Sequence, residues 1–182
     1  ALILLCGAAS LGAKVKLPAL VGDNMILQQQ TEVKLWGTAA PEAEVRVTPS
    51  WNGQTMTCRA DKDGGWTLAV ETPAAGYTPY EITFDDGEKT TLKNILIGEV
   101  WLASGQSNME MPLKGFAGCC IMNGADDIIV SAENKGVRMF TVPKHQTYEL
   151  QTDCKGSWNI SSIETAPDFS ATAYYFATSL SR

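Results

Sequence analysis

The chain has 182 residues, enough for one large or two small domains. An apolar share of 45% against a charged share of 19% supports a packed core and excludes a disordered chain. A net charge of −6 with no basic cluster excludes recognition of nucleic acid or of anionic membrane surfaces.

Ala1 to Ala13 is an apolar run that ends in small residues, the composition of a secretory signal's core and cleavage region. It is too short to span a bilayer. A buried first strand is the other reading. The signal reading makes the protein exported, secreted or periplasmic. It also implies a sequence clipped at its start, because the initiator methionine and basic n-region are missing. Without the leader, Cys58, Cys119, Cys120 and Cys154 remain. An exported protein keeps disulfides. Adjacent cysteines make a strained pair, so Cys154 with Cys119 or Cys120 is the more feasible bridge, and free core thiols are the alternative. There is no Cys-x-x-Cys and no His/Cys cluster, so no metal site is expected.

Residues 14–97 form the first domain after the leader. Val45 and Val47 alternate with Arg46 and Thr48; Met56, Cys58 and Ala60 with Thr57 and Arg59; Trp66, Leu68 and Val70, then Tyr80, Ile82 and Phe84, continue the period of two. Such alternation means antiparallel strands with one face on a core and one in water. Asn52-Gly53, Asp63-Gly64-Gly65 and Asp86-Gly87 are hairpin signals between them. Short strands with close turns predict a β-sandwich of Ig-like type. Trp36, Trp51, Trp66 and Tyr77 are candidates for stacking on sugar rings. Trp66 is in register with Leu68 and Val70 and so belongs to the inner face, which leaves Trp51 as the best exposed candidate.

The character changes at Gly98. Val100 to Ala103 is a continuous apolar run, as in a strand buried on both faces. It ends at Ser104-Gly105, where the chain can turn. Ser107 then falls just past the strand's carboxyl end, where open α/β sheets bind ligands. A serine there is a candidate nucleophile; the alternative is that Ser107 or Asn108 caps a helix beginning near Met109. The α/β-hydrolase elbow Gly-x-Ser-x-Gly does not fit, because Met109 replaces its last glycine. Pro112 to Asn123 reads as loop, Asp126 to Glu133 as a short helix, and Val137 to Val142 as a second strand. Phe169, Ala173, Phe176, Ala177 and Leu180 mark one face of a final helix capped by Asp168 or Ser170. Strand, helix, strand and helix predict the opening of a parallel α/β sheet over residues 98–182. A crossover helix delivers the chain into another parallel strand, so this domain is expected to continue beyond Arg182.

The residues carry a resemblance. Gly98-Glu99-Val100-Trp101-Leu102 followed by Ser104-Gly105-Gln106-Ser107-Asn108-Met109-Glu110-Met111-Pro112 resembles the first block of the sialate O-acetylesterase family, of the SGNH (GDSL-like) hydrolases. Asn24-Met25-Ile26-Leu27-Gln28, Leu35-Trp36-Gly37, Asp63-Gly64-Gly65-Trp66, Phe169-Ser170-Ala171 and Tyr174-Tyr175-Phe176-Ala177 look like further family positions in family order. The resemblance implies an N-terminal β-sandwich followed by the first part of a flavodoxin-like SGNH domain. It implies a serine esterase that removes O-acetyl groups from sialic acid or a related glycan through an acyl-enzyme on Ser107. The Ser107 backbone N–H would serve as one oxyanion donor, and no metal or organic cofactor is implied. In the family the base comes from a C-terminal Asp-x-x-His pair. The single histidine, His145, has Val142 three residues before it, so that role is not carried to it. The remaining oxyanion donors also come from later blocks. An acetylxylan-type esterase on the same scaffold, and a non-catalytic glycan-binding module, are the alternatives. Nothing in the sequence sets the oligomeric state.

Overall fold

The computed structural model describes residues 14–119 and 123–181. The expected leader, residues 1–13, and Cys120 lie outside them. Seven strands come first: β1 (Ile26–Gln28), β2 (Glu32–Thr38), β3 (Glu44–Pro49), β4 (Met56–Arg59), β5 (Gly65–Glu71), β6 (Gly76–Asp85) and β7 (Lys89–Gly98). They form a five-stranded sheet of order β1-β7-β6-β3-β4 and a two-stranded ribbon of β2 and β5.

Alternation builds the core. Val45 and Val47 on β3, Ile82 and Phe84 on β6, and Ile95 and Ile97 on β7 meet Leu35 on β2 and Trp66, Leu68 and Val70 on β5 in one buried cluster. Trp66 meets Phe84 across the two layers with ring centroids 5.8 Å apart. Fully burying each large apolar side chain stabilises by about 1.5–3 kcal/mol. Trp66 is thus core, as its register predicts.

Two pairings differ from the sequence expectation. Asp63-Gly64-Gly65 joins β4 to β5, which lie in different sheets, so it is a crossover rather than a hairpin. β1 pairs with β7 in parallel, with Gln28 opposite Gly98, although the alternation suggests antiparallel strands throughout. β2 to β6 lie between β1 and β7 in the chain, so no tight turn dictates their relative direction. The consequence is that Gln28-Gln29 and Gly98-Glu99 leave the sheet at the same end.

The chain then builds a second apolar cluster from Leu113, Val137, Met139, Ala166, Ala171 and Tyr174. Its elements are α1 (Ser107–Glu110), α2 (Gly124–Val130), β8 (Arg138–Phe140), β9 (Trp158–Ile160) and α3 (Ala171–Leu180). Two expectations are corrected here. Val100 to Ala103 is not a buried strand: it carries no ladder, and Trp101 and Leu102 are 60% and 93% exposed. Apolarity favours burial, but a strand also needs a neighbouring backbone, and none among the described residues lies beside it. The second strand, β8, is short and pairs antiparallel with β9 instead of opening a parallel sheet. The long return from Phe140 to Trp158 contains no helix to serve as a crossover.

Of the two proposed caps for α3, Ser170 takes the role: its Oγ accepts from Ala173 N at 3.3 Å. Asp168 instead pairs with Lys114. The Cys154–Cys119 bridge is not formed; Cys58, Cys119 and Cys154 are free thiols, and burial pushes the Cys58 thiol up. Among the described residues no helix is long and apolar enough to cross a membrane.

Candidate active site

The approach to Ser107 is fixed by the parallel β1–β7 pair. Because Gln28, the last residue of β1, stands opposite Gly98, both it and the next residue, Gln29, reach Glu99, the residue after β7. Gln28 Nε2 donates to Glu99 Oε2 at 2.9 Å and Gln29 Nε2 to Glu99 Oε1 at 2.7 Å. The other ends of the same amides accept backbone N–H groups, Val100 N to Gln28 Oε1 and Ala75 N to Gln29 Oε1, each at 2.9 Å. The amide of Gln28, then that of Gln29, holds the Glu99 carboxyl below its ordinary value. Glu99 is thereby an ionised anchor for the segment that leads to Ser107.

The chain turns at Ser104-Gly105-Gln106 into α1. A Cβ on Gly105 would stand 3.1 Å from Met109 Cβ, so the close approach of this turn to the helix favours glycine. Ser107 is the first residue of α1 and is exposed. Gln106 is the cap position, and it makes no side-chain cap bond. Neither Ser107 nor Asn108 caps the helix, contrary to the plainer sequence reading. Among the described residues the Ser107 hydroxyl and N–H have no hydrogen-bond partner. The arrangement presents a free hydroxyl and a free N–H donor at the start of a helical turn. Without a base, a serine hydroxyl is a weak nucleophile.

His145 lies on the exposed loop between β8 and β9 and makes no hydrogen bond among the described residues. Its neighbour Lys144 does reach α1, pairing with Glu110. The histidine is therefore carried on a loop tied to the Ser107 helix, but it is not joined to Ser107 by any bond. Among the described residues no group of His, Cys, Asp and Glu gathers as a metal site.

A cleft of about 360 Å³ lies beside the site and does not include Ser107. Glu99, Trp101, Tyr77 and Arg138 line it together with the α3 residue Phe176. Trp101 stands edge-on to Phe176 at 5.1 Å. Arg138 Nη2 donates to Asn94 Oδ1 at 3.0 Å, and burial lowers its pKa. Among the aromatic candidates for sugar stacking, Trp51 is not the free ring the sequence suggests. It is half-buried, its Nε1 donates to Glu71 O at 2.9 Å, and its ring packs on Tyr80. Tyr77 is the most exposed of the four.

Sequence reasoning missed the Gln28–Glu99 clamp and the α3 contacts that hold α1. Neither leaves a local signal, since both join polar residues far apart in the chain.

No family model matches the chain. Curated relatives do. The chain is 27% identical over 173 residues to the rat sialate O-acetylesterase (Rattus norvegicus), with 87% of this chain and 31% of the relative aligned. It is 28% identical over 161 residues to the human sialate O-acetylesterase (Homo sapiens), covering 82% of this chain and 29% of the relative. Among solved structures it is similar to a carbohydrate acetylesterase from Xanthomonas citri, with a TM-score of 0.83 and 32% identity over 92% of this chain and 37% of the other. The chain thus spans 31% of the rat protein and 37% of the bacterial one.

Proposed function

We propose that this chain, related by sequence to the sialate O-acetylesterases and by fold to a carbohydrate acetylesterase, is the nucleophile-bearing part of a carbohydrate O-acetylesterase. The observation that carries the reading is Ser107 itself, exposed at the head of α1 with its hydroxyl and N–H unpaired, inside the block that resembles the family. In this reading Ser107 Oγ gives its proton to a base and attacks the acetyl carbonyl of a sugar ester, and the Ser107 N–H receives the developing oxyanion. The ester C–O bond breaks, the sugar hydroxyl leaves with that proton, and water then hydrolyses the acyl-enzyme to acetate and free Ser107. The substrate is O-acetylated sialic acid or a related acetylated glycan. The protein is exported, and a further length of the same polypeptide supplies the base and the remaining oxyanion donors. Residues 14–97 are read as an Ig-like sandwich and 98–182 as the opening of an SGNH domain.

The test uses the longer polypeptide that carries this sequence, with an aryl acetate and an O-acetylated sialic acid as substrates. Ser107→Ala is expected to abolish turnover of both while leaving thermal unfolding unchanged. Retained turnover overturns the assignment. The 182-residue chain alone is expected to be inactive. Activity of that chain that vanishes with His145→Ala would transfer the base to His145.

A further inference from the structure

The turn that carries Ser107 does not hold itself. α1 is four residues long, has no side-chain cap bond and buries no side chain. A helix below about 12 residues is marginal in water by itself, so its place must be set from outside. The amino end of α3 does this. Thr172 Oγ1 donates to the Asn108 carbonyl at 3.0 Å, and Ser170 Oγ stands 3.3 Å from Met109 Sδ. Ala171 N donates to Met111 O at 2.8 Å and Leu113 N to Phe169 O at 2.9 Å.

These ties are not equivalent. The backbone pairs anchor the exit of α1, beyond Glu110. Ser170 also caps α3, so replacing it would disturb two structures at once. The Thr172 bond grips the carbonyl of the residue directly after Ser107, and its hydroxyl has no other partner among the described residues. The Ser107 carbonyl is held within the turn, accepting from Met111 N at 3.1 Å. The Asn108 carbonyl shares its peptide with Met109 N, which donates to the Gln106 carbonyl at 3.0 Å, and that carbonyl shares its peptide with the Ser107 N–H. The Thr172 bond therefore bears on the peptides on both sides of Ser107, and thereby on its N–H and the direction of its Cα–Cβ bond.

We infer that Thr172 is a positioning residue for Ser107, fixing the Asn108 carbonyl and through it the direction of the nucleophile and its oxyanion donor. The inference rests on the reading of Ser107 as nucleophile. A reacting group must be held close to its productive geometry, because a misplacement of about 1 Å costs on the order of 10² in rate. Loosening one neutral hydrogen bond is a smaller disturbance than that.

The experiment measures kcat and KM for an aryl acetate in the longer polypeptide, for wild type and for Thr172→Val, Thr172→Ala, Thr172→Ser and Thr178→Val. Thr178 lies on the same helix, and its hydroxyl bonds Tyr175 O away from α1. Thr172→Val and Thr172→Ala are expected to lower kcat about tenfold with KM nearly unchanged. Thr172→Ser restores kcat, and Thr178→Val keeps the wild-type value. Thr172 is exposed, so none of its variants should move the melting temperature appreciably. A wild-type kcat in the folded Thr172→Val or Thr172→Ala protein overturns the inference, as does an effect confined to KM or a serine variant that fails to restore. Wild-type protein without turnover overturns the nucleophile reading instead, and that outcome is visible before any variant is made.

Discussion

Gln28 grips Glu99 and the peptide after it with the two ends of one side chain: Nε2 donates to Glu99 Oε2 and Oε1 accepts from Val100 N, both at 2.9 Å. This pairs the end of the first strand with the start of the segment that reaches Ser107. The parallel register that sets Gln28 opposite Gly98 makes the grip possible.

The Glu99 carboxyl reports on that grip. Its pKa is depressed below 4.5, first by Gln28 and then by Gln29. A depressed carboxylate contributes stability that is present above its unfolded value and is lost as pH falls through its folded one. Gln28→Ala is expected to bring the Glu99 pKa up toward 4.5, as read by a carboxyl-carbon NMR titration. A titration that does not move would show that the clamp is not populated in solution. Under the proposed esterase reading, the same variant should also lower turnover of an aryl acetate, because the approach to Ser107 loses an anchor.

Gly37 makes a sharper prediction about packing. A Cβ there would stand 2.4 Å from the Lys16 carbonyl oxygen and 2.9 Å from Trp66 Cζ2. Lys16 is itself bridged to Thr38 through Lys16 N to Thr38 O at 2.8 Å and Thr38 N to Lys16 O at 2.9 Å, so its backbone cannot step aside cheaply. Overpacking a core costs typically 1–3 kcal/mol, and backbone contact puts Gly37→Ala at about 3. That lowers the melting temperature by on the order of 10 °C. Gly76 is the control: nothing stands within 4 Å of its Cβ position, and its φ is not positive. Gly76→Ala should melt with wild type. Equal melting of the two variants would contradict the close approach at Gly37.

The β layers were legible because alternation is a local signal. Val45 and Val47, Trp66, Leu68 and Val70, and Ile82 and Phe84 all lie in the core their register assigns. The cap of α3 was legible down to a choice between two residues, of which Ser170 takes the role. What stayed hidden is non-local. Gln28 and Glu99 are 71 residues apart, and Thr172 and Asn108 are 64 apart. Polar side chains at such separations read as surface until the fold brings them together. The run Val100 to Ala103 misled for the opposite reason: its composition favours burial but does not supply the backbone that a strand must pair with.

Tyr175 offers a test of the second cluster. Its hydroxyl donates to Asp127 Oδ2 at 2.7 Å, tying α3 to α2. Burial first, then the bond and charge of Asp127, push the phenol up from 10 to about 12. A raised pKa means that the folded state favours the neutral phenol. The stability this contributes is full below pH 10 and is lost as pH rises through about 12. Asp127→Asn removes the charge but keeps a carbonyl acceptor. Its Tyr175 should therefore titrate lower than in wild type yet still above 10, since the burial remains. Alkaline titration followed by phenolate absorbance, with Tyr175→Phe identifying the step, measures this. A step that does not move in Asp127→Asn would assign the whole shift to burial and remove the carboxylate from the link between the two helices.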